Sequence, residues 1–142
     1  MHKLLVAVDG SENALRALRY AIGIAQKSSP ASIHLVTAHD EPLVYGEIAV
    51  YVTPEKMVEL QRRHGEAILA TAAELLKRSG VPYTTEILVG HIGEVIAKRA
   101  GELECDAIVM GSRGMTAVGN LVMGSVATKV VHFAHVPVTL VK

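Results

Sequence analysis

Four glycines fall within fifteen residues of this chain, in the segment "GSRGMTAVGNLVMGS" (111–125), which we call the glycine loop. They are Gly111, Gly114, Gly119 and Gly124, and Ser125 follows the last of them. The segment ends where a helical pattern begins. A helix N-terminus presents unpaired backbone N–H groups and a partial positive charge, so phosphate is its natural partner. Glycine allows close approach to the backbone, and serine adds a hydroxyl donor. The segment predicts a phosphate-binding loop; the alternative is a flexible connection without a ligand.

Two charged residues add to this candidate site. Asp9 follows the first apolar run, and Ser11 beside it is a good N-cap for the next helix. A carboxylate at that point can contact a ribose, a nucleobase or a hydrated Mg²⁺ ion, or it can simply neighbour the cap. Arg113 lies inside the glycine loop, where it either neutralises phosphate charge or is solvated.

Several well-known catalytic and binding motifs do not occur in the sequence. Gly119 and Gly124 have P-loop spacing, but Ser125 and Val126 stand where a P-loop needs Lys and Ser or Thr. The chain has no G-x-G-x-x-G dinucleotide motif, no G-x-S-x-G nucleophile elbow and no H-E-x-x-H metal motif. We therefore assign no catalytic residue and no metal-ligating residue.

Composition narrows the class of protein further. The chain has 142 residues, and its 14 basic residues equal its 14 acidic ones, which argues against binding to duplex DNA. The single cysteine, Cys105, cannot form an intrachain disulfide and is expected to pack in the core. The apolar run in "MHKLLVAVDGSE" is too short for a signal peptide or a membrane span. We expect a cytoplasmic protein that binds neither membrane nor nucleic acid.

The hydrophobic pattern alternates strands with helices along the chain. Strands are predicted at 4–8, 32–40, 81–89, 106–111 and 136–142, and helices at 9–26, 53–80, 92–104 and 124–134. Such alternation predicts a mainly parallel sheet with helices on both faces, here as one domain over residues 1–142. The segment "EPLVYGEIAVYV" (41–52) has no clean period and is predicted to be a loop, either a lid over a ligand or a partner surface.

Ligands of such sheets bind beyond the carboxyl ends of the strands, where the strand order reverses. The loop holding Asp9 leaves the first strand, and the glycine loop leaves the fourth. If these two strands are neighbours, both loops face one crevice.

The residues quoted above resemble a known family. Gly111-x-x-Gly114, nine further residues and then Gly124-Ser125 match the G-2x-G-9x-G-[S/T] signature of ATP-binding universal stress proteins. The segments "LVAVDGSENALRAL", "GHIGEVIAKRAGELECDAIVMGSRG" and "SVATKVVHFAHVPVTLVK" are also similar to that family, so the resemblance spans the whole chain. It implies a Rossmann-like, HUP-type five-stranded sheet in the order 3-2-1-4-5, with ATP between strands one and four.

The resemblance also implies roles for most of the candidate residues. Adenine would lie near Asp9 and near Ala38, and the family often has a larger aliphatic residue at the Ala38 position. Ribose would lie near Met110 and Gly111, and the phosphates would contact Gly114, Gly124, Ser125 and Val126. Arg113 and Mg²⁺ are candidates beside the phosphates because of their charge, not because of the resemblance.

The expected protein is a dimeric, nucleotide-dependent sensor or adaptor in stress response, paired through the C-terminal strand 136–141. Two alternatives stay open. One is a slow ATPase or autophosphorylating enzyme on the same fold, and the other is an interaction module without nucleotide.

Overall fold

A computed structural model describes residues 2–41, 52–114 and 123–142. The strands in these residues are β1 (His2–Ala7), β2 (Ala31–His39), β3 (Tyr83–Val89), β4 (Ala107–Gly111) and β5 (Val138–Val141). The helices are α1 (Glu12–Lys27), α2 (Pro54–Ser79), α3 (Ile92–Glu102) and α4 (Ser125–Phe133). Most of segment 41–52, predicted to be a loop that serves as a lid or a partner surface, lies outside the described residues, as does Gly119 of the glycine loop.

The five strands form one parallel sheet in the order β3-β2-β1-β4-β5, which confirms the predicted fold. At the centre, Leu4 pairs with Ile33 of β2 on one side and with Ala107 of β4 on the other. Strands one and four are therefore neighbours, as the crevice prediction requires. β5 begins two residues later than predicted, after Pro137, whose carbonyl accepts from the Ile108 N–H at 2.9 Å.

The helix ends follow local sequence signals. The Ser11 hydroxyl caps α1 by accepting from the Ala14 N–H, and the Thr53 hydroxyl caps α2 by accepting from the Lys56 N–H, each at 3.1 Å. Pro54 is the first residue of α2. Gly80 ends α2 with φ of 76°, a left-handed conformation that glycine adopts without strain. These caps are the ones that the sequence predicts.

Two hydrophobic cores lie on opposite faces of the sheet. Leu4 and Val6 of β1 face the core built with α1 and α2, whereas Leu5 faces the core built with α3 and α4. Alternate residues of a central strand thus serve both layers, which explains its continuous apolar run. Cys105 is buried in the second core, and burial raises the pKa of its thiol, in keeping with a packing role.

None of the helices within the described residues is both long enough and apolar enough to cross a membrane. Within the same residues, no three His, Cys, Asp or Glu side chains come together as a metal site would need.

Candidate functional site

A cleft opens where β1 and β4 end and α3 and α4 begin, with a volume of about 380 Å³. It is lined by every residue that the sequence proposed for ligand binding: Asp9, Ala38, Met110, Gly111, Arg113, Gly114, Gly124, Ser125 and Val126. These residues come from four separate segments of the chain. The sheet order brings them together, because neighbouring parallel strands end at the same edge.

Among the described residues, the lining also includes six apolar residues that the sequence analysis did not propose: Ala7, Val8, Ala14, Ile92, Ile96 and Ala127. Ile92 and Ile96 lie one turn apart on α3. An apolar wall beside a few polar groups is the usual construction of a site for a flat organic group.

The two carboxylate oxygens of Asp9 have different surroundings. Its Oδ1 accepts from the Ser11 N–H at 2.9 Å and from the Ser11 hydroxyl at 2.5 Å. The other oxygen, Oδ2, lies against Gly114, where a Cβ would come within 2.7 Å of it. The cap role and the ligand role that the sequence left as alternatives are therefore compatible, since they use different oxygens.

The first two glycines of the signature supply space. Neither Gly111 nor Gly114 has a positive φ, so neither position requires the left-handed backbone conformation that favours glycine. A Cβ on Gly111 would lie 2.4 Å from Asn13 Oδ1, and a Cβ on Gly114 would meet Asp9. Both glycines make room for polar side chains of the β1–α1 segment.

Gly124 differs from them because protein atoms do not crowd it. A Cβ there would have no described neighbour nearer than 3.5 Å, and its φ of −77° suits any residue. Gly124 is the N-cap of α4 and gives that helix no side-chain cap. The first N–H groups of α4 also lack intrahelical acceptors, so the helix offers them at the cleft.

Asp9 and Arg113 are the two charged residues among the described residues that line the cleft. The Arg113 backbone is fixed, because its N–H donates to Asn13 Oδ1 at 2.8 Å. Its guanidinium has no carboxylate within ion-pair distance in the described part of the chain. It can therefore accompany the helix N-terminus in neutralising an anion.

His39 and His91 border the cleft without lining it. The Gly90 N–H donates to the His39 carbonyl at 3.0 Å, which joins the end of β2 to the start of α3. His91 is the N-cap residue of α3, but its side chain makes no cap hydrogen bond, and we assign it no role.

Comparisons with known proteins agree with this architecture. The universal stress protein family model matches residues 1–142. A universal stress protein from Thermus aquaticus is 35% identical over 140 residues, covering 98% of this chain and 97% of the relative.

Among solved structures, protein MJ0577 superimposes with a TM-score of 0.84 at 28% identity, covering 99% of this chain and 94% of the other. A universal stress protein from Archaeoglobus fulgidus in complex with dAMP superimposes with a TM-score of 0.69 at 27% identity, covering 100% and 98%. On the match over its full length, this chain belongs to the universal stress protein family.

Proposed function

We propose that the cleft binds an adenine nucleotide, with ATP and Mg²⁺ as the expected form. One observation carries the proposal. The residues implied by the glycine signature line a single cleft together with the uncapped N-terminus of α4. The dAMP complex of the Archaeoglobus fulgidus relative supports an adenine nucleotide over other anions.

The lining of the cleft offers groups suited to both parts of a nucleotide. Ala38, Ile92 and Ile96 can provide apolar contact for a base, with Asp9 as a hydrogen-bond acceptor near the turn after β1. The N–H groups of Ser125 and Val126 and the Arg113 guanidinium can provide donors for phosphates. Gly124 leaves the space through which phosphate can approach the helix.

We propose binding without rapid turnover. Fast phosphoryl transfer needs a group that positions or deprotonates the nucleophile. Asp9 is the one carboxylate among the described cleft residues, and its Oδ1 is already occupied by Ser11. This favours binding over catalysis. We propose a nucleotide-dependent sensor or adaptor of the stress response, acting in the cytoplasm as one nucleotide-binding domain over residues 1–142.

Titration calorimetry with Mg-ATP tests the proposal. Wild-type protein should bind, Gly124→Val should weaken binding at least about a hundredfold, equivalent to roughly 2.7 kcal/mol, and both should keep the same circular dichroism spectrum. Gly101→Ala is the matched control, because a Cβ at Gly101 meets nothing within 4 Å and the residue lies in α3. Absence of wild-type binding at millimolar Mg-ATP would refute the proposal.

We also propose that two copies pair through β5. Pro137 and Val141 direct their carbonyls to β4, so the alternation of a strand turns the polar groups of Val138 and Leu140 to the open edge. Val138→Pro removes one of these edge donors and should shift sedimentation from dimer to monomer, whereas Val138→Thr keeps the N–H and should stay dimeric. A wild-type monomer would contradict the pairing.

A further inference from the structure

Asn13, the second residue of α1, holds two distant segments of the chain. Its side chain is buried, with the residue 8% exposed. Oδ1 accepts from the Arg113 N–H at 2.8 Å, and Nδ2 donates to the Val141 carbonyl at 2.9 Å. The two partners fix the orientation of the amide, since a flipped amide would set donor against donor and acceptor against acceptor.

The neighbouring backbone makes this contact part of a continuous path. The Ser112 N–H donates to the same Val141 carbonyl at 2.8 Å, and the Gly124 N–H donates to the Ser112 carbonyl at 2.7 Å. The start of α4, the start of the glycine loop and the end of β5 are thus linked in series. Gly111 leaves the space that the Asn13 amide occupies, since a Cβ there would lie 2.4 Å from Oδ1.

We infer that Asn13 is a positioning residue that couples the ligand-binding segment Arg113–Gly114 to the edge strand β5. Arg113 and Gly114 line the cleft, and β5 is one of the two edge strands of the sheet. Any shift of the Arg113 backbone toward a ligand must carry the Asn13 amide with it or leave a buried polar group unpaired. The inference rests on the proposed function for its ligand, and linkage makes it reciprocal: pairing at β5 also affects affinity at the cleft.

Amide hydrogen exchange, followed by ¹H–¹⁵N NMR with and without saturating Mg-ATP, tests the coupling. In wild-type protein, nucleotide should slow exchange of the Thr139 and Val141 amides at least about threefold. Asn13→Ala should abolish that response while the protein still binds nucleotide. Arg16→Ala is the control, because the Arg16 Nε donates to the Lys142 carbonyl at 3.0 Å and so holds the same chain end, without a hydrogen bond to the described part of the glycine loop. It should keep the response.

Asn13→Asp separates the two halves of the contact. The carboxylate still accepts from the Arg113 N–H but no longer donates to Val141. Without nucleotide, the Arg113 and Val141 amides of wild-type protein should open together, with protection factors within about threefold of one another. In Asn13→Asp they should differ by more than about tenfold, with Arg113 still the protected one.

The outcomes separate this inference from the proposed function. An equal β5 response in wild type and Asn13→Ala, or no response in nucleotide-bound wild type, overturns the coupling. If wild-type protein does not bind nucleotide, the proposed function fails. The coupling is then tested only by the amide exchange rates of Arg113 and Val141 in ligand-free protein. Unequal opening of these two amides in wild type overturns it.

Discussion

Two groups of polar side chains lie on this sheet. They differ in whether the protein itself supplies their hydrogen-bonding and ionic partners. One is the cleft at the ends of β1 and β4. The other, which we call the edge cluster, consists of His34 on β2, Thr84 and Glu86 on β3, and Arg99 on α3. In the edge cluster, Glu86 Oε1 lies 2.8 Å from both Arg99 Nε and His34 Nε2, and His34 Nδ1 lies 2.6 Å from Thr84 Oγ1.

The charged groups of the edge cluster have their partners within the protein, whereas some polar groups of the cleft do not. Each charged group of the edge cluster contacts an opposite or complementary group of the same chain. In the cleft, α4 has no side-chain cap, and the Arg113 guanidinium has no carboxylate partner among the described residues. Polar groups that the chain itself satisfies stabilise the fold, and those left to be satisfied from outside are suited to binding.

The pKa of Glu86 reflects a balance between its burial and its hydrogen bonds. Burial disfavours its charged form, but the hydrogen bonds from Arg99 and His34 outweigh burial and hold the pKa below its usual value. We therefore expect substitutions in the edge cluster to change stability and substitutions in the cleft to change affinity.

Glu86→Ala is the strongest test of the structural half of this comparison. It leaves Arg99 and His34 without their shared acceptor, so the free energy of unfolding should fall by about 1–2 kcal/mol, and Mg-ATP affinity should stay unchanged. Urea denaturation and calorimetry measure the two quantities. Glu74→Ala, which breaks an exposed pair with Lys77 on α2, should change stability by less than about 0.5 kcal/mol. A loss of affinity in Glu86→Ala would break the distinction.

Arg113→Gln tests the binding half. Removing the guanidinium should weaken ATP binding about tenfold, equivalent to about 1.4 kcal/mol, because a cation near the phosphates is lost. Adenosine should bind as before, and the thermal midpoint should not move. Arg63→Gln on the exposed surface of α2 is the control for a change in net charge. Equal losses for ATP and adenosine would assign Arg113 to the nucleoside instead of the phosphates.

The helix caps could be predicted from local pattern, whereas the order of the strands and the proposed cleft residues could be predicted largely from the family resemblance. Apolar runs gave the strands, and Ser11, Thr53 and Gly80 marked helix ends. The signature residues lie at strand and helix ends, so parallel topology was enough to bring them together.

The reason for the glycines could not be predicted, because it depends on contacts across long sequence separations. Asn13 meets residues 100 and 128 positions away, and nothing in "SENAL" distinguishes it from a solvated helix residue. Arg99 of α3 pairs with Glu86 on β3, only 13 positions away, but this contact too depends on how the helix packs against the sheet. Polar pairs of this kind appear only once the elements have packed together.

Low pH should destabilise the wild-type protein more than Glu86→Gln. A carboxylate whose pKa is lowered in the folded state stabilises the fold above its unfolded pKa, about 4.3 for glutamate, and loses that contribution as pH falls through the folded value. As pH falls from about 5 to below the unfolded value, wild-type protein should therefore lose up to about 1 kcal/mol more stability than Glu86→Gln. Urea midpoints across this range measure it, and parallel curves would show that Glu86 is not strongly paired in solution.

Asp9→Asn should have the smallest effect and decides what the second carboxylate oxygen contacts. The amide oxygen can still accept from the Ser11 N–H and hydroxyl, so stability should change by less than about 0.5 kcal/mol. We expect adenosine and Mg-ATP to bind about threefold more weakly, to the same extent, because the proposed binding mode places adenine beside Asp9; threefold corresponds to about 0.6 kcal/mol. Calorimetry with both ligands tests this. A loss of affinity for Mg-ATP alone would assign Oδ2 to the hydrated metal. No loss for either ligand would leave the hydrogen bonds to Ser11 as the whole role of Asp9. Asp9 would then belong, like the edge cluster, with the polar groups whose partners the protein itself supplies.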